Sequence, residues 1–153
     1  MKFFNLFFLL IISVSLFGQE KIQKGINKIV ITTELKEKEN MKSLIKVLRE
    51  KEYSIRKIDS TSFQIETTPK KFRNWPYTYY FIFNIFENKI TVSSKYNTNT
   101  GYQISGVVFN DGGGNEIITR KNKKSFHNII FEEMKNIGLQ IVDKSKITYN
   151  FIN

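Results

Sequence analysis

The chain contains no cysteine. Disulfides, thiolate metal sites and cysteine nucleophiles are therefore excluded together, and the fold must be held by its apolar core. Histidine occurs once, as His127, so neither a nucleophile–His–acid triad nor a paired-histidine metal site is expected. Arginine is scarce: Arg49, Arg56, Arg73 and Arg120 are the only four among 24 Lys and Arg. Phosphate-reading surfaces favour the bidentate arginine fork. The formal net charge of +10 thus reads mainly as a lysine-rich solvated surface, and nucleic acid is not expected as a partner. An anionic polymer such as lipopolysaccharide or teichoic acid stays among the expected partners.

What the chain does have is an apolar start, MKFFNLFFLLIISVSLFGQ, with one early cation, Lys2, and an almost unbroken run from Phe3 to Phe17. This pattern predicts a signal peptide over residues 1–18. As a helix the run would rise roughly 22 Å, short of the roughly 30 Å hydrocarbon layer, so a stable membrane span after cleavage is not expected. Cleavage is expected after Ser13-Val14-Ser15 or at Gly18/Gln19. Leu16-Phe17-Gly18-Gln19 is similar to a bacterial lipobox with Gln in place of the lipidated Cys, which implies no lipid anchor. The expectation is an exported protein, periplasmic or secreted, whose residues 19–153 form a single domain.

Periodicity organises that domain. Ile26 to Thr33 is β-rich and Lys36 to Glu39 reads as a charged connection. From Asn40, taken as N-cap, Met41, Leu44, Ile45 and Leu48 form one helical stripe. Tyr53 to Ile58 and Phe63 to Thr67 alternate as a hairpin around Asp59-Ser60-Thr61, and Tyr77 to Phe86 with Lys89 to Tyr96 form a second around Glu87-Asn88. Tyr102 to Phe109 and Glu116 to Thr119 read as further strands. Ser125 caps a second helix with Phe126, Ile129, Ile130, Met134 and Ile137 as its stripe and Gly138 as its stop. Leu139 to Val142 and Ile147 to Phe151 alternate as short strands.

The two helical regions recur at an offset of 86 residues: Ile31, Thr33, Leu44, Leu48, Tyr53, Ile55, Phe63 and Ile65 fall on Ile117, Thr119, Ile130, Met134, Leu139, Ile141, Tyr149 and Phe151. The expected fold is α+β, a curved antiparallel sheet with two helices packed on one face and a pseudo-twofold repeat. That layout resembles the TATA-binding-protein-like and helix-grip folds. The phrase YSIRKIDSTSFQIETTPKKF, following an amphipathic helix, resembles small envelope proteins of Bacteroidota and, more loosely, the repeated domains of the BamC lipoprotein. The resemblance implies a fold and an envelope setting; it carries no catalytic motif, and fold analogy alone assigns no function.

Several residues qualify as site candidates. His127 lies beside the second stripe and reads as a packed or surface histidine. Glu133 reads as a carboxylate snorkelling at the edge of that stripe. The loop Asp111 to Glu116 offers oxygen ligands but lacks the acidic alternation of a calcium loop, so no metal or other cofactor is expected. The stretch PKKFRNWPY is the best binding candidate. Lys70, Lys71 and Arg73 suit phosphate, a carboxylate or a sugar acid, and Trp75 and Tyr77 offer faces for stacking on a base, a sugar or a lipid headgroup. A second cationic run spans Arg120 to Lys124.

In the following strand, Tyr77, Tyr79, Phe81, Phe83 and Ile85 make one apolar face that should meet the helices. Tyr80, Ile82 and Phe86 on the other should be covered by a partner, by a second copy, or by the Ile147 to Phe151 segment. No enzymatic activity is expected. The expected function is an interaction or accessory module of the cell envelope, binding an envelope protein or itself through the sheet face or the basic-aromatic turn. The alternative is a carrier holding a small apolar or amphipathic ligand in a cavity between sheet and helices, lined by Phe81, Phe83, Ile104 and the helix stripes.

Overall fold

The doubly apolar strand Tyr77–Phe86 organises the molecule. The computed structural model describes residues 25–73, 75–98, 101–104, 107–110, 116–121, 125–143 and 146–150. The expected signal peptide, the Asp111 to Asn115 loop and Asn122 to Lys124 lie outside the described residues. In chain order the elements are β1 (Lys28–Thr32), α1 (Glu37–Glu50), β2 (Ile55–Asp59), β3 (Gln64–Thr67), β4 (Lys70–Lys71), β5 (Tyr77–Phe86), β6 (Lys89–Thr98), β7 (Gly101–Ile104), β8 (Val107–Asn110), β9 (Glu116–Ile117), α2 (Phe126–Ile141) and β10 (Ile147–Asn150). The sheet is antiparallel in the order β10-β1-β6-β5-β3-β2, with β4 added to β5 and β9 to β6. The protein is α+β, as expected, with its helices packed against this curved sheet.

The odd face of β5 is the core. Tyr79, Phe81, Phe83 and Ile85 are buried and join the stripes of both helices, Leu44 and Leu48 from α1 and Ile130, Met134 and Ile137 from α2. Burial of each large apolar side chain contributes roughly 1.5–3 kcal/mol. Rings continue the packing edge to face, Tyr53 on Phe81 at 5.4 Å and Phe81 on Phe83 at 6.2 Å. Between β3 and β4 the Thr67 hydroxyl accepts from the Phe81 N–H at 2.9 Å, so β5 keeps its bonding where its neighbour strand is interrupted.

Helix α1 starts earlier than the Asn40 cap predicted. Lys36 is the N-cap, its N–H donates to the Glu39 carboxylate at 3.2 Å, and Glu37 and Glu39 complement the helix dipole. Asn40, fully buried, instead donates its side-chain amide to the Leu35 carbonyl at 3.0 Å and to the Glu87 carbonyl at 3.5 Å. Thr33 N–H donates to the Asn88 carbonyl at 2.7 Å. These bonds pin the β5–β6 turn, where Glu87 has φ 52°, to the start of α1.

Helix α2 corrects two expectations. Gly138 does not stop it, and Leu139 to Ile141 complete the helix rather than a strand. A Cβ at Gly138 would lie 3.2 Å from Ile31 Cδ1 and 3.3 Å from Ile147 Cδ1, so glycine there permits close approach of helix to sheet. The 86-residue recurrence therefore breaks after the helices: Tyr53 and Ile55 lead into a hairpin, whereas Leu139 and Ile141 are helical. The single strand expected from Tyr102 to Phe109 is two paired strands, β7 and β8.

Candidate binding cleft

Period-two alternation separates the cations that looked like one patch. Lys70 pairs with Tyr79 in register and Lys71 with Thr78, so their side chains leave opposite faces of the sheet. Lys70 Nζ sits 4.9 Å from the centre of the Tyr53 ring. Lys71 is exposed on the side away from the helices. Arg73 alone of the three stays with Trp75 and Tyr77.

Two backbone bonds shape the turn that holds Arg73: Phe72 N–H donates to the Tyr77 carbonyl at 2.9 Å, and Trp75 N–H to the Phe72 carbonyl at 3.0 Å. Arg73 adopts φ 48°, a conformation that favours glycine and is stored at functional sites more often than elsewhere. Phe72 is the anchor. Its buried ring meets Phe126 of α2 edge-on at 4.8 Å and Tyr79 at 6.2 Å, while the Arg73 guanidinium lies 5.6 Å over it. Trp75, 51% exposed, stacks on Tyr77 at 5.8 Å with 29° between planes. Tyr77 in turn lies against Phe126 at 5.1 Å and against Tyr96 at 6.1 Å.

Turn, β6 and the first turn of α2 thereby enclose a cleft of about 380 Å³ with Arg73 at its edge and His127 in its wall. The Thr119 N–H donates to His127 Nδ1 at 3.3 Å, which leaves the neutral ring its proton on Nε2. Burial, with a contribution from Lys121, lowers the His127 pKa, partly opposed by Glu116. The Tyr96 hydroxyl donates to Glu116, and burial together with that carboxylate pushes its pKa up to about 12.

Glu133 does not snorkel outward. Its two oxygens accept from the Tyr53 hydroxyl and, at 2.9 Å, from the Tyr79 hydroxyl, bracing α2 to the sheet and to the end of α1. Burial first and Glu133 second push both phenols well above the usual tyrosine range. Among the described residues no group of three or more His, Cys, Asp or Glu could hold a metal ion. None of the described helices is long and apolar enough to cross a membrane.

The even face of β5 is less bare than its sequence suggested. Tyr80 is buried, with the Arg56 guanidinium 5.3 Å over its ring and Arg56 paired to Glu66 at 2.7 Å. Ile82 is half-buried, and Phe86, at 70% exposed, is the open member. Ile147 to Asn150 does not cover this face, because β10 lies in the sheet beside β1. Phe151 lies outside the described residues.

Sequence reasoning missed Tyr96, Phe126 and His127 as walls of the cleft. For Tyr96 the signal was available: a two-residue turn at Glu87-Asn88 sets Phe86 opposite Lys89, which brings Tyr96 opposite Tyr79 on the helix-covered face. The meeting of Phe72 with Phe126, far apart in sequence, left no local trace. No protein-family model matches the chain, and no curated protein matches it.

Proposed function

We propose that this protein is an exported, non-catalytic interaction module of the cell envelope that binds through the aromatic cleft between the Phe72–Tyr77 turn and the first turn of α2. The observation that carries this reading is the convergence of Arg73, Trp75 and Tyr77 with Tyr96, Phe126 and His127 around one opening. An exposed indole stacked on a second ring, with a cation beside it, is the composition that dominates binding hot spots. The groups best suited to proton transfer are already engaged. Glu133 accepts from two phenols and His127 Nδ1 from a backbone N–H, which supports binding rather than chemistry.

The carrier reading has less support. Phe81 and Phe83 are 0% exposed, so neither ring borders a space that a water molecule could enter, whereas a ligand cavity between sheet and helices would leave such a space. The sheet face also has less support than the cleft, since Arg56 already occupies the Tyr80 ring.

Retention of the purified protein on isolated bacterial envelopes tests the reading. Trp75→Ala with Tyr77→Ala should abolish retention while circular dichroism stays native, and Lys57→Ala on the distant edge strand should retain fully. Retention unaffected by the cleft substitutions would exclude the cleft.

A further inference from the structure

Four donor groups belong to residues of this cleft and have no acceptor among the described residues: the Arg73 guanidinium, Trp75 Nε1–H, Tyr77 O–H and His127 Nε2–H. Among the described residues no Asp or Glu lines the cleft, and the nearby Glu116 carboxylate accepts from Tyr96. A lining that, among the described residues, offers donors and a cation but no carboxylate complements a negatively charged, acceptor-rich ligand.

Three further features narrow the class. Among the described residues Arg73 is the one Lys or Arg lining the cleft, and a planar guanidinium matches a carboxylate through two parallel bonds. One face of Trp75 is stacked on Tyr77, and the indole is half exposed, leaving a flat surface for a ring. The volume of about 380 Å³ lies near the lower end of small-molecule sites, roughly 300–1,000 Å³, which suits one substituted ring. Resting on the cleft reading above, we infer that the site takes a six-membered ring bearing a carboxylate, with the ring laid on Trp75 and the carboxylate on Arg73. Such a group is supplied either by a uronic-acid residue of an acidic glycan or by a free aromatic acid.

The strained backbone of Arg73 fits this assignment. A φ of 48° is costly for an arginine, and the residue held there lines the cleft together with the exposed indole. Arg73→Gly is therefore a clean test: it removes the guanidinium and relieves the backbone, so loss of binding cannot be ascribed to loss of fold.

The chain has a single tryptophan, so its intrinsic fluorescence reports on Trp75 alone. The full chain is titrated with glucuronate, phenylacetate, and their uncharged counterparts glucose and benzyl alcohol. At least one carboxylate should shift or quench the emission saturably, with its uncharged counterpart weaker by about tenfold or more. Arg73→Gly should weaken that carboxylate by a similar factor while its thermal midpoint stays at or above that of the parent. A response to glucuronate alone assigns the group to a glycan, and a response to phenylacetate alone to a free aromatic acid. Silence of both carboxylates at millimolar concentration overturns the inference, as does equal binding of acid and uncharged partner or undiminished binding by Arg73→Gly. Should these fail while envelope retention still depends on Trp75, the ring carboxylate falls and the interaction module stands.

Discussion

Replacing Glu133 by Leu removes the acceptor shared by the Tyr53 and Tyr79 hydroxyls, two groups on residues only 7% and 4% exposed. The two phenols are within reach of one another, so one donor is left buried and unmade at about 1–3 kcal/mol and the other exchanges a carboxylate bond for a neutral one at about 1–2 kcal/mol, while the added apolar contact of Leu offsets about 1 kcal/mol. A net loss of about 3 kcal/mol is expected, read from the urea midpoint at unchanged slope. The triple variant Glu133→Leu, Tyr53→Phe, Tyr79→Phe removes donors along with acceptor and should recover to within about 1 kcal/mol of the parent. The brace also sets an alkaline limit. The folded chain holds both phenolic protons more tightly than the unfolded chain, so this stabilisation is full below about pH 10 and is lost as pH rises beyond it. Glu133→Leu within about 0.5 kcal/mol of the parent would refute the reasoning, because that is the range of substitutions touching nothing important.

Three other outcomes are expected. Gly138→Ala should destabilise by about 1 kcal/mol in thermal melts despite alanine's better helix propensity, since Ile31 and Ile147 are packed and cannot yield the few tenths of an ångström a Cβ requires. His127, whose folded pKa lies below the ordinary 6.5, should cost stability as pH falls from about 6.5 through its folded value, because the unfolded ring takes the proton first; His127→Leu should flatten that part of the urea-midpoint profile. Glu87→Gly should raise the melting temperature, worth about 0.5–1 kcal/mol, by relieving the φ of 52° while leaving the backbone bonds of the turn in place.

The sequence made the core legible where period and burial coincide. Met41, Leu44 and Leu48 repeat at helical spacing, and Phe81, Phe83 and Ile85 alternate, so each declares its own buried side. Leu139-Gln140-Ile141 also alternates, yet it forms the last turn of α2, because three residues cannot separate the two periods and the helix was already propagating. Gly138 read as a stop because glycine ends many helices; only the approach of Ile31 reveals its other use. In the candidate site, Arg73, Trp75 and Tyr77 were visible as a basic-aromatic turn. Lys70 and Lys71 do not line the cleft with them: Lys70 lies over the Tyr53 ring and Lys71 leaves the opposite face of the sheet. Phe126 and His127 were hidden because only tertiary packing carries α2 onto the turn.

The central claim, that binding uses the cleft rather than the open sheet face, is tested most directly by hydroxyl-radical footprinting of the protein free and bound to isolated envelopes. Trp75 at 51% and Phe86 at 70% exposed are both open to oxidation in the free protein, and they mark the two surfaces separately. The account predicts that envelopes shield Trp75 and Tyr77 and leave Phe86 as reactive as before. Shielding of Phe86 with Trp75 unchanged would contradict it.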